Sequence, residues 1–423
     1  KNRAMIKHLL LRTVVLSFWQ FTQGQRLDVH MSRPESVGLS SDSLQMMNEY
    51  FHQLVDDEKL AGIQTAILKE GKLVHFDSYG HANREERIRL DENSIFRIFS
   101  MTKPIVSVAL MQLYEQGKFK LQDPLYQYIP EFEEMFRHTD SGLVKTKNPI
   151  KIIDLLRHTS GFNYGRSQNQ KLDQIYSGAN IESSRNNKEF VLKLSKLPLL
   201  FEPGTDWQYG YSTNICGYLI EVLSNKDLDT YLRENILIPL AMNDTHFEVR
   251  KNKIERFTVG YGWDETRGLN IVQDQKDNPY TNEVTLFNGG GGLVSTTFDY
   301  LKFCQMLLNK GELNGMRILK EKTIELIFMD HLPEVREFQS RLRLPQGEYG
   351  FGLGFAIKGE NEDNLEKVYG WGGAAGTYFK IDFENNMAYV MMIQLSPYRQ
   401  LGLRQQIQEY IKAALKSARR RYD

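Results

Sequence analysis

Residues 96–117 of this chain read FRIFSMTKPIVSVALMQLYEQG, a short polar segment that leads into a long apolar one. Ser100 stands three residues before Lys103, and Pro104 follows the lysine directly. The pattern predicts a helix over about residues 100–117, because a polar cap and an early proline are typical of a helix start. Residues three apart share one face of a helix. Ser100 and Lys103 are therefore expected to lie within hydrogen-bonding distance.

This pair has the side chains that nucleophilic catalysis requires. A serine hydroxyl becomes a good nucleophile when a base takes its proton, and a lysine can be that base if burial lowers its pKa. N–H groups at the helix start would point at an oxyanion formed by attack on a carbonyl. The alternative is a capping Ser100 and a solvated Lys103, since a chain of this composition contains roughly one S-x-x-K by chance. The spacing alone leaves both interpretations open, although the flanking apolar runs suit a buried lysine.

Strand patterns occur near both ends of the chain, and helical patterns fill its middle. Residues 62–80 and 377–395 each contain two β-rich runs that flank a turn, which is a strong hairpin signal. Short helical patterns and loops follow one another through about residues 100–287. The sequence therefore predicts one sheet, built from about residues 29–99 and 288–423, with helices packed on it and the helical region inserted.

Charge and residue types exclude several kinds of function. Lys plus Arg number 53 and Asp plus Glu number 53, so the net charge is zero, whereas phosphate binding needs a basic face. No nucleic-acid partner is therefore expected. The nine histidines are scattered and none is paired at i, i+4, so neither a metal site nor another cofactor is expected. Cys216 and Cys304 lie in apolar helical patterns and are predicted to be buried free thiols.

Residues 1–28 are expected to form a leader, either a secretory signal or a disordered segment. From Met5 the chain reads MIKHLLLRTVVLSFWQFTQGQ, a basic start and an apolar stretch that are typical of a signal. Arg12 interrupts this stretch and no A-x-A cleavage site follows, so a cytoplasmic location is the alternative to export into the periplasm or the medium. The stretch is too short to span a bilayer stably. Residues 29–423 are predicted to form a single domain.

Several longer segments together resemble one protein family. They are SIFRIFSMTKP (94–104), LQDP (121–124), LLRHTSG (155–161), FEPGTDWQY (201–209), GGLVSTTFDYLKFCQMLLNKGEL (291–313) and YGWGGAAGTYF (369–379). Over about residues 33–412 the chain is similar to the serine β-lactamase and penicillin-binding-protein superfamily, in its class C β-lactamase-like branch. The resemblance implies an α+β fold of the β-lactamase/transpeptidase type, with an antiparallel sheet flanked by helices. It also implies that Ser100 is the nucleophile and Lys103 the base beside it.

The same resemblance points to a tyrosine as the third catalytic residue. The family commonly carries it in a P-G-T-x-W-x-Y pattern, which residues 203–209 match and which gives the role to Tyr209, with Tyr211 as the rival. β-Lactamases carry Y-x-N here, whereas position 211 is tyrosine, so Asn214 is expected to stand in partly for that asparagine. Tyr211 and Asn214 are both expected to contact substrate. This departure puts recognition of a β-lactam amide in doubt.

The family's K-T-G motif is absent from the sequence, and Trp371-Gly372-Gly373 stands in its place. This form looks like the family VIII carboxylesterases, the esterase members of the same branch. The lysine and threonine of K-T-G hold a substrate carboxylate, which a tryptophan cannot do. Trp371 and the two glycines are therefore expected to line a pocket for the acyl or alcohol part of a substrate. The resemblance assigns the oxyanion hole to the backbone N–H groups of Ser100 and Ala374.

These residues predict a serine hydrolase that cleaves carboxylic esters through an acyl-enzyme on Ser100. The substrate would be a small-molecule ester or amide, and the sequence leaves the oligomeric state open. Two alternatives remain. One is a β-lactamase, D-amino-acid peptidase or amidase with the same mechanism, and the other is a catalytically silent binding protein of the same fold.

Two other motifs have simpler interpretations. The nearest match to the α/β-hydrolase signature G-x-S-x-G, residues 210–214, lacks the final glycine, which disfavours that fold. The glycine run at 288–292 lacks the spacing of a phosphate-binding loop and is predicted to be a tight turn. His158 is predicted to be a hydrogen-bonding residue of a loop or of the core.

Overall fold

The structure, a computed structural model, describes residues 31–276, 278–336, 348–359 and 367–419. The expected leader, residues 1–28, lies outside the described residues. The leader and the single domain after it therefore stay predictions. Within the described ranges, no helix is both long enough and apolar enough to cross a membrane.

An antiparallel sheet joins the two ends of the chain. The strands are β1 (Gly62–Lys69), β2 (Lys72–Asn83), β3 (Ile88–Arg89), β4 (Phe96–Arg97), β5 (Phe136–Thr139), β6 (Gly142–Lys145), β7 (Gly260–Asp264), β8 (Gly268–Gln273), β9 (Val294–Ser295), β10 (Glu312–Leu313), β11 (Met316–Arg317), β12 (Glu348–Phe351), β13 (Ala356–Lys358), β14 (Val368–Gly372), β15 (Tyr378–Asp382) and β16 (Met387–Met392). In the described residues the main sheet has eight strands in the order β12-β13-β14-β15-β16-β1-β2-β3. β1 pairs with β16, which confirms a sheet built from both chain ends. Both predicted hairpins are present, as β1–β2 and β15–β16.

Helices cover both faces of this sheet. They are α1 (Ser41–Asp56), α2 (Thr102–Glu115), α3 (Ile152–Leu156), α4 (Gln170–Gly178), α5 (Asn187–Leu194), α6 (Ser212–Ser224), α7 (Leu228–Leu232), α8 (Thr297–Leu308), α9 (Glu321–Phe328), α10 (Pro333–Arg336) and α11 (Leu403–Arg419). The region between the two sheet portions is mainly helical but also contains the hairpins β5–β6 and β7–β8.

The two faces of the sheet pack against different helices, because successive side chains of a strand point to opposite sides. In β1, Ile63 and Ile67 pack with α1 and α11. Ala66 and Leu68 face the larger core, which includes α2 and α8. Burial on both faces explains why β16 is a continuous apolar run and why every residue of β1 is buried.

The predicted helix near residues 100–117 is α2, which begins at Thr102 and ends at Glu115. Ser100 precedes it in a short 3-10 turn, Phe99–Met101. Most of α2 is buried on all sides, so it is a central core helix and not an amphipathic surface helix. The segment that carries Ser100 therefore enters the interior of the molecule directly after the turn.

Cys216 on α6 and Cys304 on α8 are buried free thiols, as predicted. Burial raises the pKa of both thiols, so neither is a reactive nucleophile at neutral pH. In the described part of the chain, no group of three His, Cys, Asp or Glu side chains is arranged to hold a metal ion.

Candidate active site

Ser100 and Lys103 lie at the entry to α2, beside the sheet. The pairing of β4 with β9 fixes the chain just before them, and the Ile98 N–H donates a hydrogen bond to the Leu293 carbonyl over 3.1 Å. Phe99 then has a φ of +44°, an uncommon value for a residue other than glycine. Ser100 Oγ lies 3.2 Å from Lys103 Nζ. The structure thus brings together the two side chains that the sequence spacing selects.

Lys103 is a buried amine, with 1% of its surface exposed. Nζ donates a hydrogen bond to the Gly290 carbonyl and lies 4.7 Å from the ring centre of Tyr209 and 5.5 Å from that of Tyr164. Burial lowers the pKa of Lys103, while Tyr209 and Glu182 act in the opposite direction. The neutral form that burial favours can accept a proton from Ser100.

The glycine run at 288–292 is a tight turn that also reaches the site. Two of its N–H groups donate back to the Asn288 carbonyl over 3.1 and 2.8 Å. A Cβ atom at Gly290 would lie 2.2 Å from Asn214 Oδ1, so only glycine allows this approach to α6. Sequence reasoning missed the contact between Gly290 and Lys103. The four successive glycines were the available signal, because they favour close backbone approach.

Tyr209, and not Tyr211, lies against Ser100. Its hydroxyl donates a hydrogen bond to Ser100 Oγ over 2.6 Å and is also hydrogen bonded to Lys103. Tyr211 immediately precedes α6, and its hydroxyl bonds to Glu182 instead. The geometry therefore supports Tyr209 as the proton carrier and puts Tyr211 to one side of the site.

His158 packs against the Tyr209 ring in the interior of the molecule. Its ring centre lies 5.1 Å from that of Tyr209, 5.9 Å from that of Trp207 and 5.5 Å from that of Phe351, each in an edge-on arrangement. Burial lowers the pKa of His158 to about 3, and the Lys103 charge adds to the effect. Nδ1 has no hydrogen-bond partner among the described residues. Aromatic packing therefore surrounds this core side chain, and within the part of the chain that the structure describes Nδ1 does not make the hydrogen bond that the sequence suggests.

Trp371 lies on β14 on the other side of Tyr209. Its Nε1 donates a hydrogen bond to the Tyr209 hydroxyl oxygen over 3.3 Å, and the two ring centres are 5.1 Å apart. Phe351 packs edge-on against the indole at 5.5 Å. The indole is half-buried, so part of it is open to solvent beside the serine and tyrosine. A continuous row of contacts thus joins Lys103, Ser100, Tyr209 and Trp371, and we call it the catalytic row.

The turn after Trp371 admits little more than glycine. A Cβ atom at Gly372 would lie 2.2 Å from the Arg404 guanidinium, and one at Gly373 would lie 2.5 Å from a backbone carbonyl. Arg404, from α11, donates a hydrogen bond to the Gly373 carbonyl over 2.8 Å. Ala374 follows; it is exposed, and its N–H donates no hydrogen bond within the part of the chain that the structure describes. This N–H is therefore free to bind an oxyanion.

The other residues expected at the site lie around its edge. Asn214 is 5% exposed and donates from Nδ2 to Asn288 Oδ1 over 2.8 Å, so it contacts the glycine turn. Sequence reasoning missed Tyr164, whose ring packs edge-on between those of Tyr209 (5.3 Å) and Tyr211 (4.5 Å). It also missed Glu182 and Arg404. None of these three residues has a motif of its own, so only the folded chain identifies them.

One protein family matches most of the chain, and several relatives are similar to it over long stretches. A family model described as Beta-lactamase matches residues 47–409. Protein Rv1367c of Mycobacterium tuberculosis is 29% identical over 359 residues, which cover 82% of this chain and 88% of that protein. Esterase EstB of Burkholderia gladioli is 28% identical over 234 residues, which cover 54% of this chain and 57% of that protein.

Two further similarities extend along most of the chain. A Salmonella typhimurium protein, named provisionally as a D-alanyl-D-alanine carboxypeptidase, is 25% identical over 426 residues, covering 92% of this chain and 91% of that protein. The solved structure of simvastatin synthase (LovD) from Aspergillus terreus superimposes with a TM-score of 0.76 at 22% identity, covering 89% of this chain and 99% of that one. The predicted α+β fold of the β-lactamase/transpeptidase type is thereby confirmed.

Proposed function

This chain belongs to the beta-lactamase family, and from that premise we propose that it is a serine hydrolase that cleaves carboxylic esters. The catalytic row carries the proposal. Lys103 Nζ lies 3.2 Å from Ser100 Oγ, to which the Tyr209 hydroxyl donates over 2.6 Å. Trp371 then donates to the Tyr209 oxygen over 3.3 Å. The row contains a nucleophile, two proton carriers and an apolar wall in direct contact.

Acylation begins when the neutral amine of Lys103 takes the proton of the Ser100 hydroxyl. Oγ forms a bond to the ester carbonyl carbon, and the carbonyl oxygen becomes an oxyanion. When the bond from that carbon to the alcohol oxygen breaks, the leaving oxygen takes the Tyr209 proton. The resulting phenolate regains a proton from the Lys103 ammonium, to which it is hydrogen bonded. The alcohol departs, and an acyl ester remains on Ser100.

Deacylation repeats these transfers with water as the nucleophile. The Lys103 and Tyr209 pair takes a proton from water as the water oxygen bonds to the acyl carbon. The bond from that carbon to Oγ then breaks, and Ser100 regains its proton. The carboxylic acid product leaves, and both proton carriers return to their starting forms. The cycle consumes one water molecule per ester.

We assign the oxyanion hole to the backbone N–H groups of Ser100 and Ala374. The 3-10 turn before α2 presents the first, and the exposed turn after β14 presents the second. Arg404 holds that second turn through the Gly373 carbonyl. Losing one oxyanion donor typically costs about 10² to 10³ in rate, so the fit of this turn is important for catalysis.

Two features favour an ester over a β-lactam or a peptide. Trp371 stands where a lysine and threonine would hold a substrate carboxylate, and Tyr211 stands where an asparagine would face a substrate amide. In addition, the Tyr211 hydroxyl is hydrogen bonded to Glu182. The relative named as a carboxypeptidase supports a second candidate, hydrolysis of a peptide or amide by the same residues.

Initial rates on p-nitrophenyl butyrate, a chromogenic cephalosporin and a D-alanyl-D-alanine peptide test this proposal. The variants are Ser100→Ala and, as a matched control, Ser107→Ala. Ser107 lies on α2, directly after the turn that carries Ser100, and its buried hydroxyl has no hydrogen-bond partner among the described residues. We expect ester hydrolysis by the wild type, a loss of about 10⁴-fold or more in Ser100→Ala and full activity in Ser107→Ala.

The other outcomes separate the alternatives. Faster turnover of the cephalosporin or the peptide than of the ester would move the function to that substrate class. Silence on all three substrates, together with no covalent labelling of Ser100 by a fluorophosphonate, would indicate a binding protein that keeps the fold without turnover. Ester hydrolysis that survives Ser100→Ala would exclude the acyl-enzyme mechanism.

A further inference from the structure

A carboxylate lies beside the catalytic row, at the end opposite Trp371. Glu182 stands in the short 3-10 turn Ile181–Ser183 and is exposed at the surface. Its carboxylate accepts a hydrogen bond from the Tyr211 hydroxyl, and its Oε2 lies 3.5 Å from Asn288 Nδ2. Asn288 belongs to the glycine turn whose Gly290 carbonyl binds the catalytic lysine. The carboxylate is thus joined to the site through two separate elements.

This carboxylate has no ion-pair partner among the described residues. Neighbouring groups partly shield it from water, and this burial raises the pKa of Glu182, while Tyr211 and the charge of Lys103 act to lower it. Lys103 cannot turn to meet it, because its amine is buried and bound to Ser100 and Gly290. A partly desolvated carboxylate without a cation is unfavourable for stability. A ligand that brings a positive charge would remove this cost.

Three tyrosine side chains lie near the carboxylate. Tyr211 bonds to it directly, and Tyr164 packs edge-on against Tyr211 with ring centres 4.5 Å apart. Glu182 also acts electrostatically on Tyr164 and Tyr280, whose hydroxyl lies 3.5 Å from the Gly291 carbonyl. Aromatic faces with a carboxylate among them are a good binding environment for an alkylammonium group.

The order of side chains gives the position of this group relative to the reacting carbonyl. Trp371 contacts Tyr209, Tyr209 contacts Tyr164, and Tyr164 contacts Tyr211. Glu182 is in turn hydrogen bonded to Tyr211. Ser100 is hydrogen bonded to Tyr209, so it lies between Trp371, the apolar end of this series of contacts, and Glu182, the anionic end. A substrate whose carbonyl reaches Ser100 can therefore place an apolar part on the indole and a charged part at the carboxylate.

We propose that Glu182, with Tyr164, Tyr211 and Tyr280, forms a subsite for an alkylammonium group, so that the substrates are esters with a positively charged acyl or alcohol part. This proposal rests on the proposed ester hydrolysis. It adds a substrate class that the catalytic row does not determine. Solvent reaches the Glu182 carboxylate, so high salt should weaken its attraction for the cation.

Two pairs of isosteric esters test the subsite. Butyrylcholine and 3,3-dimethylbutyl butyrate differ by a charged nitrogen in the alcohol part. The p-nitrophenyl esters of 4-(trimethylammonio)butyrate and 5,5-dimethylhexanoate differ in the same way in the acyl part. For each pair, the ratio of kcat/KM for the cationic ester to that for the neutral ester is measured in wild type, Glu182→Gln and Glu49→Gln. Glu49 is an exposed acid on α1, so its variant controls for net charge.

We expect the wild type to prefer the cationic member of at least one pair by about tenfold. The ratio should fall to about one in Glu182→Gln, stay near the wild-type value in Glu49→Gln and shrink at high salt. A ratio near one in the wild type for both pairs would overturn the proposal. A preference that survives Glu182→Gln would overturn it equally.

Calorimetry with choline separates this proposal from the proposed function. If no ester is hydrolysed but choline binds the wild type and fails to bind Glu182→Gln, the result supports the subsite and excludes the proposed ester hydrolysis. If neutral esters are hydrolysed without a charge preference and choline does not bind, the result supports ester hydrolysis and excludes the subsite. Absence of both turnover and choline binding would exclude both.

Discussion

The groups around Ser100 form two sets, a base side and an open side, which are distinguished by their burial and by what fixes them and not by their position along the catalytic row. On the base side, Lys103 is almost wholly inaccessible and is bound by the Gly290 carbonyl, and Tyr209 is supported by buried rings. On the open side, Trp371 is half-buried and Ala374 and Glu182 are exposed. Backbone and aromatic packing determine the geometry of the base side, whereas solvent can reach the groups of the open side.

This difference separates the groups that carry out the chemical steps, on the base side, from the groups that select the substrate, on the open side. Burial lowers the pKa of Lys103, and this makes a lysine useful as a base near neutral pH. A change on the base side should therefore slow the hydrolysis of every ester. A change on the open side should alter the relative rates of different esters, because those groups contact parts of the substrate away from the reacting carbonyl.

The largest expected effect is that of Lys103→Met. Methionine is also unbranched and of similar volume but has no proton to exchange, so we expect kcat/KM for p-nitrophenyl butyrate to fall by about 10³-fold or more. Methionine removes the cost of burying the amine, while the Gly290 carbonyl loses its donor, so the melting temperature should change little. Steady-state kinetics and a thermal melt on the same preparation measure both quantities.

The pH profile provides the control for that variant. Because the base must be neutral, wild-type kcat/KM should rise with pH up to the Lys103 pKa, which burial places below the ordinary lysine value of 10.5. The residual activity of Lys103→Met should lack this rise. Activity of the variant within tenfold of the wild type would show that another group takes the serine proton.

A smaller effect is expected from Tyr209→Phe, compared with Tyr211→Phe as its matched control. Only Tyr209 bonds to Ser100 Oγ, whereas the Tyr211 hydroxyl bonds to Glu182. We expect kcat for a neutral ester to fall by about 10²- to 10³-fold in Tyr209→Phe and by less than about tenfold in Tyr211→Phe. The reverse order would assign proton transfer to Tyr211 and would place it on the base side.

The smallest expected effect is that of His158→Asn, in the buried region that packs against Tyr209. Burial lowers the pKa of His158 to about 3 from an ordinary 6.5, so this histidine destabilises the folded state as pH falls from 6.5 towards 3, and it costs nothing above 6.5. At pH 5 the cost is about 2 kcal/mol, or roughly thirtyfold in the unfolding equilibrium. His158→Asn should remove it, and asparagine tolerates the φ of +59° at this position.

Chemical denaturation at pH 7.5 and pH 5 measures this effect as a difference, which cancels any packing loss common to both conditions. The free energy of unfolding should drop by about 2 kcal/mol less in His158→Asn than in the wild type. Half-exposed His138→Asn is the control and should behave as the wild type. Part of the acid sensitivity should remain, because burial also lowers the pKa of His75, to about 4. An unchanged drop in His158→Asn would show that water reaches this interior.

Much of the site could be predicted from local pattern and family resemblance. The three-residue spacing of Ser100 and Lys103 depends only on helix geometry, and the two hairpins depend only on alternating apolar residues around a turn. Tyr209 and Trp371 came from the resemblance. The spacing to Gly217 and Glu221 favours Tyr209 but does not separate it fully from Tyr211. The structure makes that separation through one hydrogen bond to Ser100.

The sequence by itself determined the net charge of zero and predicted that Ser100 and Lys103 lie close together. These follow from composition and from residues close together in the chain, whereas the fold class and the role of Ser100 as nucleophile were implied by the family resemblance. Only the tertiary structure decided which carbonyl holds Lys103, since Gly290 is 187 residues away, and which tyrosine meets the serine. It also decided that Glu182 lies beside the site. Burial and long-range contact depend on how distant segments pack, and the pKa of Lys103 depends on burial, so neither can be read from local pattern.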